Sequence, residues 1–247
     1  MIPPSPAAGA DVVPLRRLDR RVALVTGGGS GAGAAIARRC ALLGASVMVA
    51  DIDYALAGEI AASIRAGGQA ALAHRCDVAL EEQVTTLIDR TVREFGGLDL
   101  VFNVAGPWLD GDPLGYWSRI VNTNLLGTMY VTRHAIELLK RRGGTVVNVA
   151  AGTALGFGEE TRPAWCAAKA GILRFTAALR SLHEEKIRVN CIAPDSIGAP
   201  EDFALCAVNL AMREDYAGRV LIYRDGGAVE VVDYGDPGYR QAHQLQW

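Results

Sequence analysis

The chain has 247 residues, half of them hydrophobic, and its 25 Lys and Arg nearly balance 27 Asp and Glu for a formal charge of −2. This is the composition of one soluble domain with a buried core, and it excludes disorder and a polyanion-binding surface, so nucleic acid is not an expected partner. No apolar run reaches the roughly 18 residues of a membrane span, residues 1–20 are Pro-rich without the apolar block of a signal peptide, and five scattered cysteines lack any C-x-x-C pair. A disulfide framework and a metal site are therefore not expected, and a reducing cytoplasm is the expected location.

From residue 21 to residue 227, short apolar or β-branched runs alternate with longer segments of helical spacing. This rhythm predicts a parallel sheet with crossover helices. A strand at 21–25 leads through a glycine-rich turn into a helix at 33–43. Then come a strand at 45–50, a helix at 54–66, a strand at 70–74 and a helix at 80–95. The second half continues with a strand at 98–103, a helix at 116–141, a strand at 145–149 and a helix at 163–182. A strand at 187–191, a helix at 201–212 and a strand at 219–223 complete it. Several strands are apolar at nearly every position, as expected when helices cover both faces. Residues 1–20 and 228–247 fall outside the rhythm and read as tails.

The first turn reads Thr26-Gly27-Gly28-Gly29-Ser30-Gly31-Ala32-Gly33. Between a strand and a helix, such glycines let the backbone turn tightly and approach a pyrophosphate, whose charge then meets the free N–H groups of the helix. The second strand is followed by Asp51, a carboxylate able to accept hydrogen bonds from adenosine ribose hydroxyls and to repel a 2′-phosphate. No Lys or Arg lies in the glycine turn to offset that repulsion, so NAD is expected in preference to NADP. Asp51 could instead cap the next helix, a role for which Asp53 competes.

At these residues the sequence resembles the short-chain dehydrogenase/reductase family, whose loop is T-G-x-x-x-G-x-G. Further segments match in order. Asp77-Val78 resembles the pair that contacts adenine, and Asn103-Val104-Ala105-Gly106 resembles N-N-A-G, with Val104 replacing an Asn. Asn124 matches the active-site Asn, residues 188–194 (R-V-N-C-I-A-P) match the sixth strand, and Asp225-Gly226-Gly227 matches the D-G-G after the last one. The resemblance implies a single doubly wound Rossmann domain with seven parallel strands in the order 3-2-1-4-5-6-7, and a homodimer or homotetramer. It also implies a nicotinamide cofactor held by Gly27, Ser30, Gly31, Ala32, Gly33, Asp51, Asp77, Val78, Asn103, Ala105, Gly106, Lys169, Pro194 and Ile197.

The departures fall on the reacting end. The family's Y-x-x-x-K sets a proton-donating Tyr and a Lys on one helix face. Here the segment is Trp165-Cys166-Ala167-Ala168-Lys169, and indole has no acid–base chemistry near neutrality. Ala151 stands at the family's Ser, with Thr153 the nearest hydroxyl. Asp195 replaces a Gly and Ala199 a Thr in P-G-x-I-x-T, and the long lid that follows has no counterpart before Pro200-Glu201-Asp202. Lys169 and Asn124 remain as catalytic candidates, though Lys169 could simply hold ribose hydroxyls and Asn124 could bond its own helix. Two functions are thus expected: an NAD(H)-binding oxidoreductase with unusual or weak hydride transfer on an unidentified alcohol or carbonyl, or an inactive NAD-binding scaffold or sensor. His134 and His183 lack partners at ligand spacing and read as surface residues. Cys166 reads as an inert thiol, and Trp108, Trp117 and Trp165 as core or a shared apolar pocket.

Overall fold

In the computed structural model, the described residues are 18–106, 114–155, 162–224 and 227–232. Their centre is a sheet of β1 (Val22–Thr26), β2 (Ser46–Asp51), β3 (Ala71–Arg75), β4 (Leu100–Asn103), β5 (Gly144–Val149), β6 (Ile187–Pro194), β7 (Val220–Tyr223) and β8 (Val229–Val231). The order is β3-β2-β1-β4-β5-β6-β7-β8, parallel as far as β7. The helices are α1 (Gly31–Leu42), α2 (Tyr54–Ala66), α3 (Glu81–Phe95), α4 (Trp117–Val121), α5 (Gly127–Arg142), α6 (Pro163–Ala178) and α7 (Pro200–Met212).

Val22–Thr26 is buried throughout because helices cover both faces of the sheet. On one face α1, α2 and α7 pack through Ile36, Ile60, Ile64, Phe203 and Val208 against Val25, Phe102 and Ile192. On the other, α3 and α5 set Val84, Leu87, Val131 and Leu139 on Leu24, Val101 and Val189. The strand order reverses between β1 and β4, and the chain leaves both strands at the carboxyl edge. That edge is where a doubly wound sheet opens a crevice for a ligand.

Four expectations are corrected. The sheet has an eighth strand: residues 229–231 leave the expected tail and pair antiparallel with β7, Tyr223 opposite Val229 and Leu221 opposite Val231. At the other end, Leu18 is buried and its N–H donates to the Leu43 carbonyl at 2.6 Å, so the domain begins before residue 21.

The helix expected at 116–141 is interrupted. A 3-10 turn (Leu114–Tyr116) and α4 lead into a π turn, Asn122–Leu126, before α5. Asn124 Nδ2 donates to the Ile120 carbonyl at 3.1 Å, and Gly127 N–H reaches back five residues to Asn122 O. A side chain that takes a helical carbonyl displaces the regular ladder, which is how a π turn arises. Likewise the helix expected at 163–182 ends at Ala178, and Arg180–Glu185 is a separate 3-10 segment.

Candidate functional site

The glycine turn is shaped by contacts that exclude side chains. Gly27 has φ +63°, and a Cβ there would lie 2.8 Å from Ala105 N. A Cβ on Gly33 would sit 2.0 Å from the Gly27 carbonyl. Thr26 Oγ1 accepts from the N–H groups of Val104 at 3.2 Å and Ala105 at 3.4 Å, and donates to Phe102 O at 3.4 Å. It thereby sews the turn after β1 to the turn after β4. The reading from sequence had missed Thr26; its signal was the T that opens T-G-x-x-x-G-x-G.

α1 starts at Gly31 with Ser30 as its cap residue, and the Ser30 side chain makes no capping bond. No acidic side chain lies in the first turn. The N–H groups of Gly31, Ala32 and Gly33 belong to the first turn, which has no intrahelical acceptors, so the positive end of the helix dipole faces the crevice. Asp53, not Asp51, caps α2, accepting from Ala55 N at 2.9 Å and Leu56 N at 3.3 Å. Asp51 instead accepts from Gly29 N at 2.9 Å and Asp53 N at 3.0 Å, which holds its carboxylate against the glycine turn. Beside it a depression of about 410 Å³ is lined by Ile52, Asp53, Tyr54, Ala55 and Arg75. Arg75 stands opposite Asp51 in the β2–β3 register. It is a cation that sequence reading missed, because it lies on a different strand.

Asp77 and Asn103 also reach this edge, but their groups are partly committed. Asp77 Oδ1 accepts from Ala79 N at 3.0 Å, closing a turn. Val78 is buried, and a Cβ on Gly127 would lie 2.6 Å from its Cγ2. Asn103 is buried with Nδ2 donating to Thr132 Oγ1 at 3.0 Å and to Asn148 Oδ1 at 2.9 Å. Asn148 in turn donates to Thr176 Oγ1 at 3.0 Å. This polar ladder ties β4, β5, α5 and α6 together.

Over the carboxyl ends of β4 to β6 the lining changes character. Ala151 and Trp165, the residues standing where a Ser and a Tyr were expected, meet in one buried apolar cluster with Ile120 and Ala164. The Arg162 guanidinium lies 4.2 Å over the Trp165 ring, a favourable cation–π contact. Lys169 is buried, its Nζ donating to the Val149 carbonyl at 3.1 Å. Burial pushes its ammonium down to about 8. Nearby Cys191 is pushed up to about 12 by burial, so its thiol stays neutral. Asn124 is fully buried and, among the described residues, its Oδ1 has no hydrogen-bond donor. Gly106 leaves room beside it: a Cβ there would lie 2.4 Å from Asn124 Oδ1 and 3.2 Å from Lys169 Nζ.

Thr153 is exposed in the 3-10 turn Gly152–Leu155. Only residues 195–199 separate β6 from α7, so no lid is built there. Pro194 ends β6, Ile197 is partly exposed, and Ala199 caps α7 without a side-chain bond. Asp195 folds over the next loop, where a Cβ on Gly152 would lie 2.2 Å from its Oδ1. Its Oδ2 meets Arg224 at 3.4 Å. Of the tryptophans considered, Trp117 is partly exposed on α4, and Trp108 lies outside the described residues. Among the described residues no group of three or more His, Cys, Asp or Glu could hold a metal, and no helix is long and apolar enough to cross a membrane.

A family model described as short chain dehydrogenase matches residues 21–202. A Thermotoga maritima protein named an uncharacterized oxidoreductase is 36% identical over 190 residues, 74% of each chain. The cis-4-hydroxycyclohexanecarboxylate dehydrogenase of Sinomonas cyclohexanicum is 37% identical over 188 residues, 73% of this chain and 74% of its own. Among solved structures, a short chain dehydrogenase from Mycobacterium avium superposes with a TM-score of 0.81 at 29% identity, covering 93% of this chain and 89% of the other.

Proposed function

Because the chain belongs to the short-chain dehydrogenase family, whose members generally bind nicotinamide dinucleotides, we propose that it is an NAD(H)-binding oxidoreductase with slow hydride transfer on an alcohol or carbonyl. The observation that carries this is the contrast between the two halves of one crevice. The turn pinned by Gly27, Gly33 and Thr26 leaves the first N–H groups of α1 open to a pyrophosphate. Asp51, relieved of capping by Asp53, would accept hydrogen bonds from the ribose hydroxyls. Bound NAD(H) supplies the hydride. Lys169 and Asn124 face the second half with a donor and an unsatisfied acceptor. The proton reaches the oxygen of the substrate from a water or substrate group held there, in place of a phenol. Asp51 favours NAD over NADP; Arg75 is the side chain that a 2′-phosphate would meet. The protein works on a small molecule in a reducing, cytoplasmic setting, as a homodimer or homotetramer.

One observation favours a second reading. Trp165 and Ala151 form a closed apolar cluster at the reacting end, which suits a nucleotide-binding scaffold or sensor without turnover. Calorimetry and stopped-flow absorbance separate the two. NAD is expected to bind more tightly than NADP, and the double variant Ala151→Ser with Trp165→Tyr is expected to raise NADH oxidation over a carbonyl panel by at least about tenfold. Absence of NAD binding overturns the cofactor assignment. A double variant that binds NAD and oxidises no NADH favours the scaffold.

A further inference from the structure

Asp195 has no part in the scheme above, yet it is the carboxylate that the short β6–α7 connection places at the crevice. A dinucleotide bound to a doubly wound sheet crosses from one half to the other at the switch point. With a pyrophosphate at α1 and the adenosine toward β2 and β3, the second mononucleotide would come to the carboxyl ends of β4 to β6. Asp195 follows β6 directly, its N–H donating to Tyr223 O at 2.9 Å. Its carboxylate presses on Gly152, just past β5, and keeps its side chain one-third exposed. Arg224, its cationic partner at 3.4 Å, is shared with Glu230, to which Nη2 and Nε donate at 2.9 and 3.2 Å. The trio therefore carries one negative charge in excess. Lys169, which donates to the Val149 carbonyl at the end of β5, contributes equally for either redox state of a ligand.

We propose that the Asp195 carboxylate makes this site select the oxidised, cationic nicotinamide ring over the reduced, neutral one, so that the protein rests loaded with NAD⁺. This rests on the NAD(H)-binding reading. NAD⁺ and NADH share adenosine, pyrophosphate and both riboses, so a fixed charge beside the ring is felt as a difference between them. At the few-ångström separations of a partly buried pair, one charge is sufficient for about a tenfold difference in affinity.

The test is calorimetric titration of the full chain with NAD⁺, NADH and ADP-ribose, comparing the native protein with Asp195→Asn and Arg224→Gln. Native protein is expected to bind NAD⁺ at least as tightly as NADH. Asp195→Asn keeps the side-chain shape and is expected to move the NAD⁺ to NADH affinity ratio about tenfold toward NADH, with ADP-ribose unchanged. Arg224→Gln leaves Asp195 without its neutralising partner and is expected to move the ratio the other way, which keeps the proposal testable if the first variant folds poorly. A ratio unmoved by either change overturns the proposal. Binding of ADP-ribose without either dinucleotide also overturns it, by showing that Asp195 excludes the ring, while leaving the nucleotide site standing. Failure of all three ligands removes the NAD(H)-binding reading itself, and this inference with it.

Discussion

Lys169 is buried with its Nζ donating to the Val149 carbonyl, and this sets a pH signature. Its folded-state value of about 8 lies below the 10.5 of an unburied lysine. Between those values the unfolded chain binds the extra proton, so this residue's contribution to stability rises with pH from about 8 to about 10.5 and is constant below. Lys169→Met removes the buried charge and loses one hydrogen bond. It is expected to stabilise the protein at pH 7 by about 2 kcal/mol, with the advantage shrinking as pH approaches 10.5. Urea melts of both proteins at pH 7 and pH 10 measure this. An advantage equal at both values contradicts a depressed lysine. The same substitution is expected to weaken NAD binding, because Lys169 is the cationic donor facing the second half-site.

At the scale of elements, the polar ladder Asn103–Asn148–Thr176 matters more than any single strand. It joins two neighbouring strands to the helices that follow them, all inside the core. Asn148→Leu removes the acceptor of one bond and the donor of another, leaving Asn103 and Thr176 with buried groups to satisfy. It is expected to cost about 2–4 kcal/mol, read as a lower urea midpoint with an unchanged slope. Asn124 acts on its own element in a different way. By occupying the Ile120 carbonyl it forces the π turn, and the widened turn leaves its Oδ1 facing the space beside Gly106. An Asn at helical spacing gives no local sign of this. Periodicity across 116–141 predicts an unbroken helix, and the competition for one carbonyl is settled only once the side chain is buried.

Over the whole molecule, the directness of the β6–α7 connection shapes both the site and the packing. α7 runs back along α1, and Phe203 meets Tyr223 edge-on with centroids 5.3 Å apart, locking the helix to β7. β8 covers the outer edge of β7, which would otherwise present unpaired N–H and C=O groups to another chain. Val232 N donates to Val220 O at 2.9 Å, tying the end of β8 to β7, and replacing Val232 by Pro removes that donor. The expected result is a loss of about 1 kcal/mol in stability and growth of a larger species in light scattering, as the β7 edge pairs between molecules. A variant of unchanged size and stability would show that β8 protects nothing.

The alternation of strands and helices, the glycine turn and the position of Asp51 were legible in the residues alone, because they follow from short-range properties, whereas the strand order as far as β7 was implied by the family resemblance. Alternating runs set each element, glycines set the backbone where no Cβ fits, and a carboxylate after the second strand follows from its place in the chain. The substitutions at residues 151, 165 and 195 were legible too, once the resemblance supplied their frame. Only the tertiary structure decided what those substitutions do. It gathered Ala151 and Trp165 into one apolar cluster, folded Asp195 onto Gly152 beneath Arg224, turned Asn103 inward as a strut and set Arg75 opposite Asp51. Each of these depends on how distant elements dock, and docking is fixed by the packing of the whole core, which no local pattern encodes.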